Sequence, residues 1–524
     1  MLTFSRVRAS RVRGFGSRAS LNVPRPLQLI PVALALLTIT ACAPAIAPAP
    51  PRTTSSQLGV TPRPAPRIDA TTLTGKLMFG YQGWFGCPDD GSQLARWEHW
   101  FRAGQPAGEP ALRVDMWPDL SDLPESERCA TPLTLPEGRT AQLYSAYRGA
   151  AVDMHFQWMQ EYGLPGVFLQ RFTSGLTRDP TRDFRDTVVR NVRSAAETNG
   201  RVFALMYDIS GHVPETLVDD VKRDWAYLVD TLRITESERY LRHNGRPLLA
   251  IWGFGFRDRP ATPSQAAALI DFFKNNPDPR YRVTLLGGVP AGWRTLTRDS
   301  QEDAAWASVY RSFDVISPWT VGRFRDDEGV DRFYRDTVVP DLSEARAAGI
   351  EYMPVVFPGF SWRNMNRDAA PNQIPRRGGR FFWRQVEQAL GAGNTMLYGA
   401  MFDEVDEGTA MFKLATTAQE APAATSIVTL DADGEALPSD WYLQLSREAQ
   451  VRLQRIGVLG NGVKEVIEKT DSTRSNRAHG VTRDCLQLLD SIASSPSTRK
   501  PQTLDSITCH NRSYDGLRAA DCGP

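Results

Sequence analysis

Between residues 76 and 402 short apolar runs recur, separated by longer stretches whose apolar residues fall at helical spacing. The runs cover Lys76 to Gly83, Gly166 to Phe172, Val202 to Asp208, Pro247 to Gly253, Arg282 to Gly288, Phe313 to Trp319, Glu351 to Phe357 and Thr395 to Phe402. Short apolar runs of this kind read as strands buried on both faces. Helical spacing marks Thr187 to Ala196, Pro214 to Leu232, Pro263 to Lys274 and Arg380 to Ala392. Strands alternating with helices imply a parallel sheet, and eight repeats fit an α/β fold of the (β/α)8 TIM-barrel type. An open, doubly wound sheet is the alternative, because alternation does not say whether a sheet closes.

The flanks read differently. Residues 1–42 carry Arg6, Arg8, Arg11, Arg13, Arg18 and Arg25, then an apolar run from Leu27 to Ala41. The run is too short for a comfortable membrane span and reads as an export signal. It ends Ile39-Thr40-Ala41-Cys42. A small residue before cysteine resembles a bacterial lipoprotein signal, with Cys42 lipidated (a palmitate-type acyl anchor) and the protein held at the cell envelope, in the periplasm or at the cell surface. Cleavage near Ala41 to Ala45 as an ordinary signal peptide is the alternative, and the long leader is consistent with a start codon placed too early. Residues 43–73, with Pro62, Pro64 and Pro66, are too poor in apolar surface to fold and read as an extended tether. The folded domain is expected over 74–456, with Ser446 to Ile456 as its last helix. Residues 457–524 are polar and read as disordered, or else as a small disulfide-stapled appendage.

Composition narrows the function by exclusion. The 524 residues carry 61 basic and 60 acidic side chains, a formal charge of +1, which gives nucleic acid no electrostatic footprint. Export permits disulfides, and Cys87 and Cys129 fall inside the domain as a candidate pair, while Cys485, Cys509 and Cys522 lie in the tail. Neither Cys-x-x-Cys nor His-Glu-x-x-His occurs, so no metal or other cofactor is expected.

Candidate chemistry lies where the runs end, which in a barrel is the C-terminal rim that carries active sites. Tyr81, Gln82 and Trp84 follow the first run, and Gln170 and Arg171 end the second. Tyr207 and Asp208 end the third, and Trp252 closes the fourth. Trp293 follows the fifth, Trp319 ends the sixth, Ser361, Trp362 and Arg363 follow the seventh, and the eighth breaks into Asp403-Glu404-Val405-Asp406-Glu407-Gly408-Thr409. Like-charged carboxylates at the mouth of an apolar strand are costly to bury, so the fold alone gives little reason for them. Glycoside cleavage needs two carboxyl groups around one bond, and Glu404 and Glu407 are candidates, with Asp208 a third acid. Tryptophans at strand ends suit the apolar faces of sugars. His212, in the loop after the third run, is a further candidate for a sugar hydroxyl, whereas His155 sits in a helical pattern and reads as a satisfied core imidazole. The acidic cluster offers oxygen ligands but lacks the alternation of a calcium loop.

Several motifs occur in one order: Gly80-Tyr-Gln-Gly-Trp-Phe-Gly-Cys87, Val114-Asp-Met-Trp-Pro-Asp-Leu120, Val152-Asp-Met-His-Phe-Gln-Trp158, Gly166-Val-Phe-Leu-Gln-Arg-Phe172, Tyr207-Asp-Ile-Ser210 and the closing acidic stretch. Together, over residues 74 to 450, they resemble the glycoside hydrolase family 71/99-like proteins. Family 99, the endo-α-mannosidases and mannanases, carries Asn-Glu-aromatic-x-Glu-Gly-Thr after its last barrel strand, and Asp403 to Thr409 is similar to it. The resemblance implies Glu407 as acid/base and Glu404 as the base that helps a sugar 2-hydroxyl attack the anomeric carbon, giving a 1,2-anhydro intermediate and overall retention. Asp403 in place of asparagine, Val405 in place of an aromatic and the extra charge of Asp406 imply different hydrogen bonds and a different subsite. The family 71 side, fungal α-1,3-glucanases, leaves room for another acid pair. The expected protein is thus an exported, monomeric, membrane-anchored endo-glycosidase acting on an α-linked polysaccharide or glycan, mannan-like or glucan-like; the rival is a carbohydrate-binding lipoprotein on the same barrel without turnover.

Overall fold

The computed structural model describes residues 66–456, apart from 260 and 424. The leader, most of the tether, Cys42, the tail cysteines and the 457–524 extension therefore lie outside the described residues. Within them, residues 66–73 belong to the domain rather than to a tether. Ile68 donates its N–H to Gly200, Ala70 accepts from Arg242, and Leu73 is fully buried.

The eight runs form eight parallel strands. They are β1 Lys76–Tyr81, β2 Gly166–Phe172, β3 Val202–Asp208, β4 Arg246–Trp252, β5 Thr284–Val289, β6 Val315–Pro318, β7 in two pieces at Glu351–Tyr352 and Val355–Val356, and β8 Met396–Gly399. Each pairs with the next in chain order, and β8 returns to β1 with Lys76 opposite Met396 and Phe79 opposite Gly399. The closure at β7 is uneven. Its first piece pairs only with β6 and its second only with β8. Pro354, between them, has no N–H for the ladder, and its carbonyl instead accepts from Tyr398. The sheet is a closed (β/α)8 barrel, the fold that the run spacing predicts.

Helices fill the outside. They are α1 Gly149–Glu161, α2 Asp179–Asn199, α3 Leu217–Asp230, α4 Pro263–Asn275, α5 Ala305–Tyr310, α6 Asp327–Phe333, α7 Val339–Ala347 and α8 Arg380–Gly391, and a last helix over 441–456 completes the eighth unit. Their starts have local causes. Thr262 caps α4 by accepting from Gln265 while Gln265 bonds back to the Thr262 N–H, and Pro263 at the first turn loses no helical bond. No helix among the described residues is long and apolar enough to cross a membrane.

One connection departs from the compact βα pattern. Between β1 and α1, residues 82–148 hold an antiparallel hairpin, Cys129–Thr134 with Thr140–Leu143, tied to the strand end by a Cys87–Cys129 disulfide. The same segment crosses the barrel mouth: the N–H groups of Asp115 and Met116 both donate to the Val405 carbonyl. The longest loop of the fold thereby rests directly on the acidic stretch.

Candidate active site

The acidic stretch is positioned from three directions. From β1, the Gln82 and Gly83 N–H groups donate to the two oxygens of Asp403, at 2.7 and 2.9 Å. From the loop after β7, Ser361 donates its N–H to the Glu407 carbonyl, and Gly408 sits at φ +64 with no room for a Cβ, which would meet the Ser361 nitrogen at 2.8 Å. From behind, the buried Arg376 donates to the carbonyls of Gly408 and Ala410. Asp115 knots the loops together, accepting from the Ser361 hydroxyl and from the N–H groups of Arg363 and Asn364. Burial outweighs these bonds and pushes its carboxyl up to about 6.

The four carboxyls are not equivalent. Asp403 is fully buried and committed to backbone donors, so it shapes the turn. Glu404 is buried and accepts from Gln82 Nε2 at 2.5 Å and from Thr409 Oγ1 at 2.7 Å. Asp406 is 1% exposed; one oxygen lies 3.6 Å from His99 Nδ1 and the other has no hydrogen-bond partner among the described residues. Glu407 is the most accessible of the four. Burial first, and then the charge of Asp406, push it up to about 7; burial and the charges of Glu407 and Asp406 also raise Glu404. Two interacting carboxyls of this kind titrate as a pair. The donors from Gln82 and Thr409 fix the Glu404 carboxyl and lower it in part, against the burial that raises it.

The barrel interior facing this pair is aromatic and incompletely bonded. Tyr398 of β8 receives a hydrogen bond from Gln170 at 3.0 Å and packs on Phe168 and Trp319. Burial and the charges of Glu404, Asp208 and Asp403 push its phenol well above the usual range, so it remains a neutral donor. A Cβ on Gly80 would lie 2.2 Å from its hydroxyl, so the glycine makes room for the ring. Trp252 meets Trp319 edge to face at 5.6 Å, with the Arg259 guanidinium 5.0 Å from its own ring. Gln82 Oε1, Gln170 Oε1, Trp84 Nε1, Trp252 Nε1 and Asp406 Oδ1 are all buried without a hydrogen-bond partner among the described residues. Orphaned polar atoms gathered at one rim are what a site for a hydroxyl-rich ligand leaves unpaired.

Several expected residues fall into place and others do not. Gln170, Trp252, Trp319, Glu404, Asp406 and Glu407 lie at the mouth or the adjoining interior, and Trp362 follows in the loop after β7. Asp208 is buried, raised by that burial, and accepts from the Ser210 N–H at 2.7 Å. Trp84 is present at the rim but is sandwiched: the His99 ring stacks on it at 3.8 Å and Phe172 covers it at 5.2 Å, leaving its N–H rather than a free face. His212 is tied to the α3 side, 3.3 Å from both Asp220 and Thr216, with Nδ1 unpartnered.

Four expectations are corrected. Arg171 points outward, forked onto Asp224 and paired with Asp186 between β2, α2 and α3. Tyr207 points the same way and donates to Asp224 at 2.7 Å. Tyr81 is buried with its hydroxyl 2.9 Å from His155 Nδ1, and Trp293 donates to Asp341 at 2.9 Å from full burial. Each faces the helical layer rather than the mouth. His155, read as a core imidazole, is one: burial lowers it to about 3. Among the described residues no group of three or more His, Cys, Asp or Glu could hold a metal ion.

Residues not singled out from the sequence as site residues include His99, Asp115, Tyr398 and Arg376. Asp115 lies within the Val114 to Leu120 motif, and a tyrosine inside the eighth apolar run, before the acidic stretch, is the available signal for Tyr398. His99 and Arg376 are placed by loop contacts and left no local signature.

No protein-family model matches the chain, and no curated protein sequence matches it. In three dimensions it is similar to the GH99 endo-alpha-mannosidase from Bacteroides thetaiotaomicron. One solved structure, in complex with bis-tris-propane, matches with TM-score 0.53 at 14% identity, covering 73% of this chain and 98% of that one. A second structure of the same enzyme gives TM-score 0.53 and 14% identity over 74% of this chain and 99% of its own. The likeness spans nearly the whole of that enzyme and shows a shared fold.

Proposed function

We propose that this protein is a retaining endo-glycosidase that cleaves an α-linked polysaccharide or glycan, with Glu407 as acid/base and Glu404 as assisting base. The observation that carries the reading is the pair itself: two glutamates on one turn at the C-terminal rim of a barrel, Glu404 buried and fixed by two donors and Glu407 the more accessible. Glu407, more accessible and raised to about 7, suits a donor to the leaving oxygen. Glu404, fixed by Gln82 and Thr409, suits a base held still against a sugar hydroxyl. The motif resemblance to family 99 and the likeness of fold to its mannosidase point the same way. The rim aromatics and unpaired polar atoms support a carbohydrate as the ligand.

The purified full chain, screened on α-mannan, α-1,3-glucan and other α-glycans, is expected to release oligosaccharides with the anomeric configuration retained. Glu407→Gln is expected to lower kcat on the order of 10²- to 10⁴-fold with the fold intact. Unchanged hydrolysis in that variant refutes the assignment. The reading includes export and a lipid anchor on Cys42, supported by the arginine-bearing leader and the small residue before the cysteine. Cys42→Ala is expected to release the protein from the membrane fraction, and continued membrane association counts against lipidation.

A further inference from the structure

Many arginines around the barrel find a carboxylate; of those that do not, four are gathered beside the mouth. Arg102 donates to the carbonyls of Asn364 and Met365, and Arg367 to that of Pro110. Arg363 donates to the carbonyls of Arg367 and Ala369, and Arg113 reaches the Met365 sulfur at 3.3 Å. All four thus contact neutral acceptors, and none forms an ion pair among the described residues. Their crowding is felt directly: besides partial burial, the charges of Arg367 and Arg113 hold the Arg102 guanidinium below its usual range. A folded surface with no use for this repulsion would be expected to scatter such charges or pair them.

The cluster also has shape and position. Arg102, Gln105, Pro110, Met365, Asn366 and Arg367 line an open depression. The loop that carries Arg363 and Arg367 is the one whose Ser361 bonds the Glu407 carbonyl, and Arg113 is two residues from Asp115, which bonds that loop. Arg113 is close enough for its charge to lower the Glu407 carboxyl. The depression is therefore lined by the same two loops that bond to the acidic turn.

Resting on the glycosidase reading, we infer that this arginine cluster is a subsite for an oxyanion carried by the glycan, so that the substrate is an acidic rather than a neutral polymer. Guanidinium groups recognise a carboxylate or a sulfate ester by forked, charge-assisted hydrogen bonds, and here their donors are only partly used by main-chain carbonyls. A uronic acid or a sulfated sugar, lying a residue or more away from the scissile bond, supplies the missing charge.

The test is affinity electrophoresis of the full chain through gels containing polygalacturonate, or the same polymer fully methyl-esterified, and dextran sulfate against dextran. Retardation by an acidic polymer over its neutral counterpart is expected, weakened by added salt. Which of the two acidic polymers retards identifies carboxylate or sulfate, and inorganic phosphate as competitor shows whether a free anion suffices. The double substitution Arg102→Gln and Arg367→Gln is expected to weaken the acidic interaction at least about tenfold, whereas lysine at both positions, which keeps the charge and loses the fork, is expected to fall between the two, which separates charge from folding. Retardation by neutral polymers alone overturns the inference and leaves the glycosidase reading standing. Retardation by neither kind also overturns the inference, the glycosidase reading being judged separately by hydrolysis of α-mannan and α-1,3-glucan, and an undiminished acidic preference in the glutamine variant overturns the assignment to these residues.

Discussion

At the scale of single residues, the decisive group is Asp406. It is buried beside Glu407, is half-served by a histidine whose own charge burial disfavours, and has no counterpart in the family 99 motif to which its neighbours are similar. Its charge is the second cause, after burial, that raises Glu407 to about 7. A general acid works only while protonated, so kcat/KM is expected to hold below that value and to fall as pH rises through about 7. Removing a neighbouring negative charge favours ionisation. Asp406→Asn is therefore expected to move the alkaline limb of the pH profile to lower pH, and a limb that stays in place in an active variant shows that Asp406 does not tune the acid. The substitution also spares an unpaired buried charge, so loss of stability does not accompany the shift.

At the level of elements, the sequence shows where the strands lie more plainly than which way their side chains face. All eight runs became strands because each carried an apolar stretch bounded by breakers, which a buried parallel sheet demands. The expectation that both Gln170 and Arg171 bind substrate conflicted with the period of a strand, where neighbours point to opposite faces. The registered pairs make the point: Gln170 lies opposite Met206 and Arg171 opposite Tyr207, so the first pair lines the barrel and the second meets α2 and α3. Tyr398, inward on β8, answers to Gln170 across the lumen. The division of β7 was marked only by Pro354, a residue that a run of apolar letters absorbs without notice. What the sequence could not show is the knot at Asp115, whose partners Ser361, Arg363 and Asn364 lie about 250 positions away and come together only when the sheet closes.

At the scale of the whole molecule, closure depends on the far end of the domain. The helix over 441–456 follows β8 in the barrel's outer layer, and it reaches back to the first strand: Gln450 accepts from the Leu77 N–H and donates to the Gly75 carbonyl, both at 2.7 Å. Tyr442, Leu443 and Leu453 are fully buried, and Arg376, which holds the acidic turn, lies over the Tyr442 ring at 4.5 Å. Burying each large apolar side chain contributes about 1.5–3 kcal/mol, and unpaired groups left at Leu77 and Gly75 add about 1–3 kcal/mol each. The sum is comparable with the entire stability of an ordinary domain, about 5–15 kcal/mol. A chain ended after Ser439 is therefore expected to lose its cooperative melt and its glycan hydrolysis together, although every residue of the acidic turn is retained. Thermal unfolding followed by circular dichroism checks this directly: a truncated chain that melts with the Tm of the full one shows that the barrel closes without its last helix. Gln450→Ala probes the same link more gently, because it removes only the two bonds to β1 and leaves the apolar contacts in place.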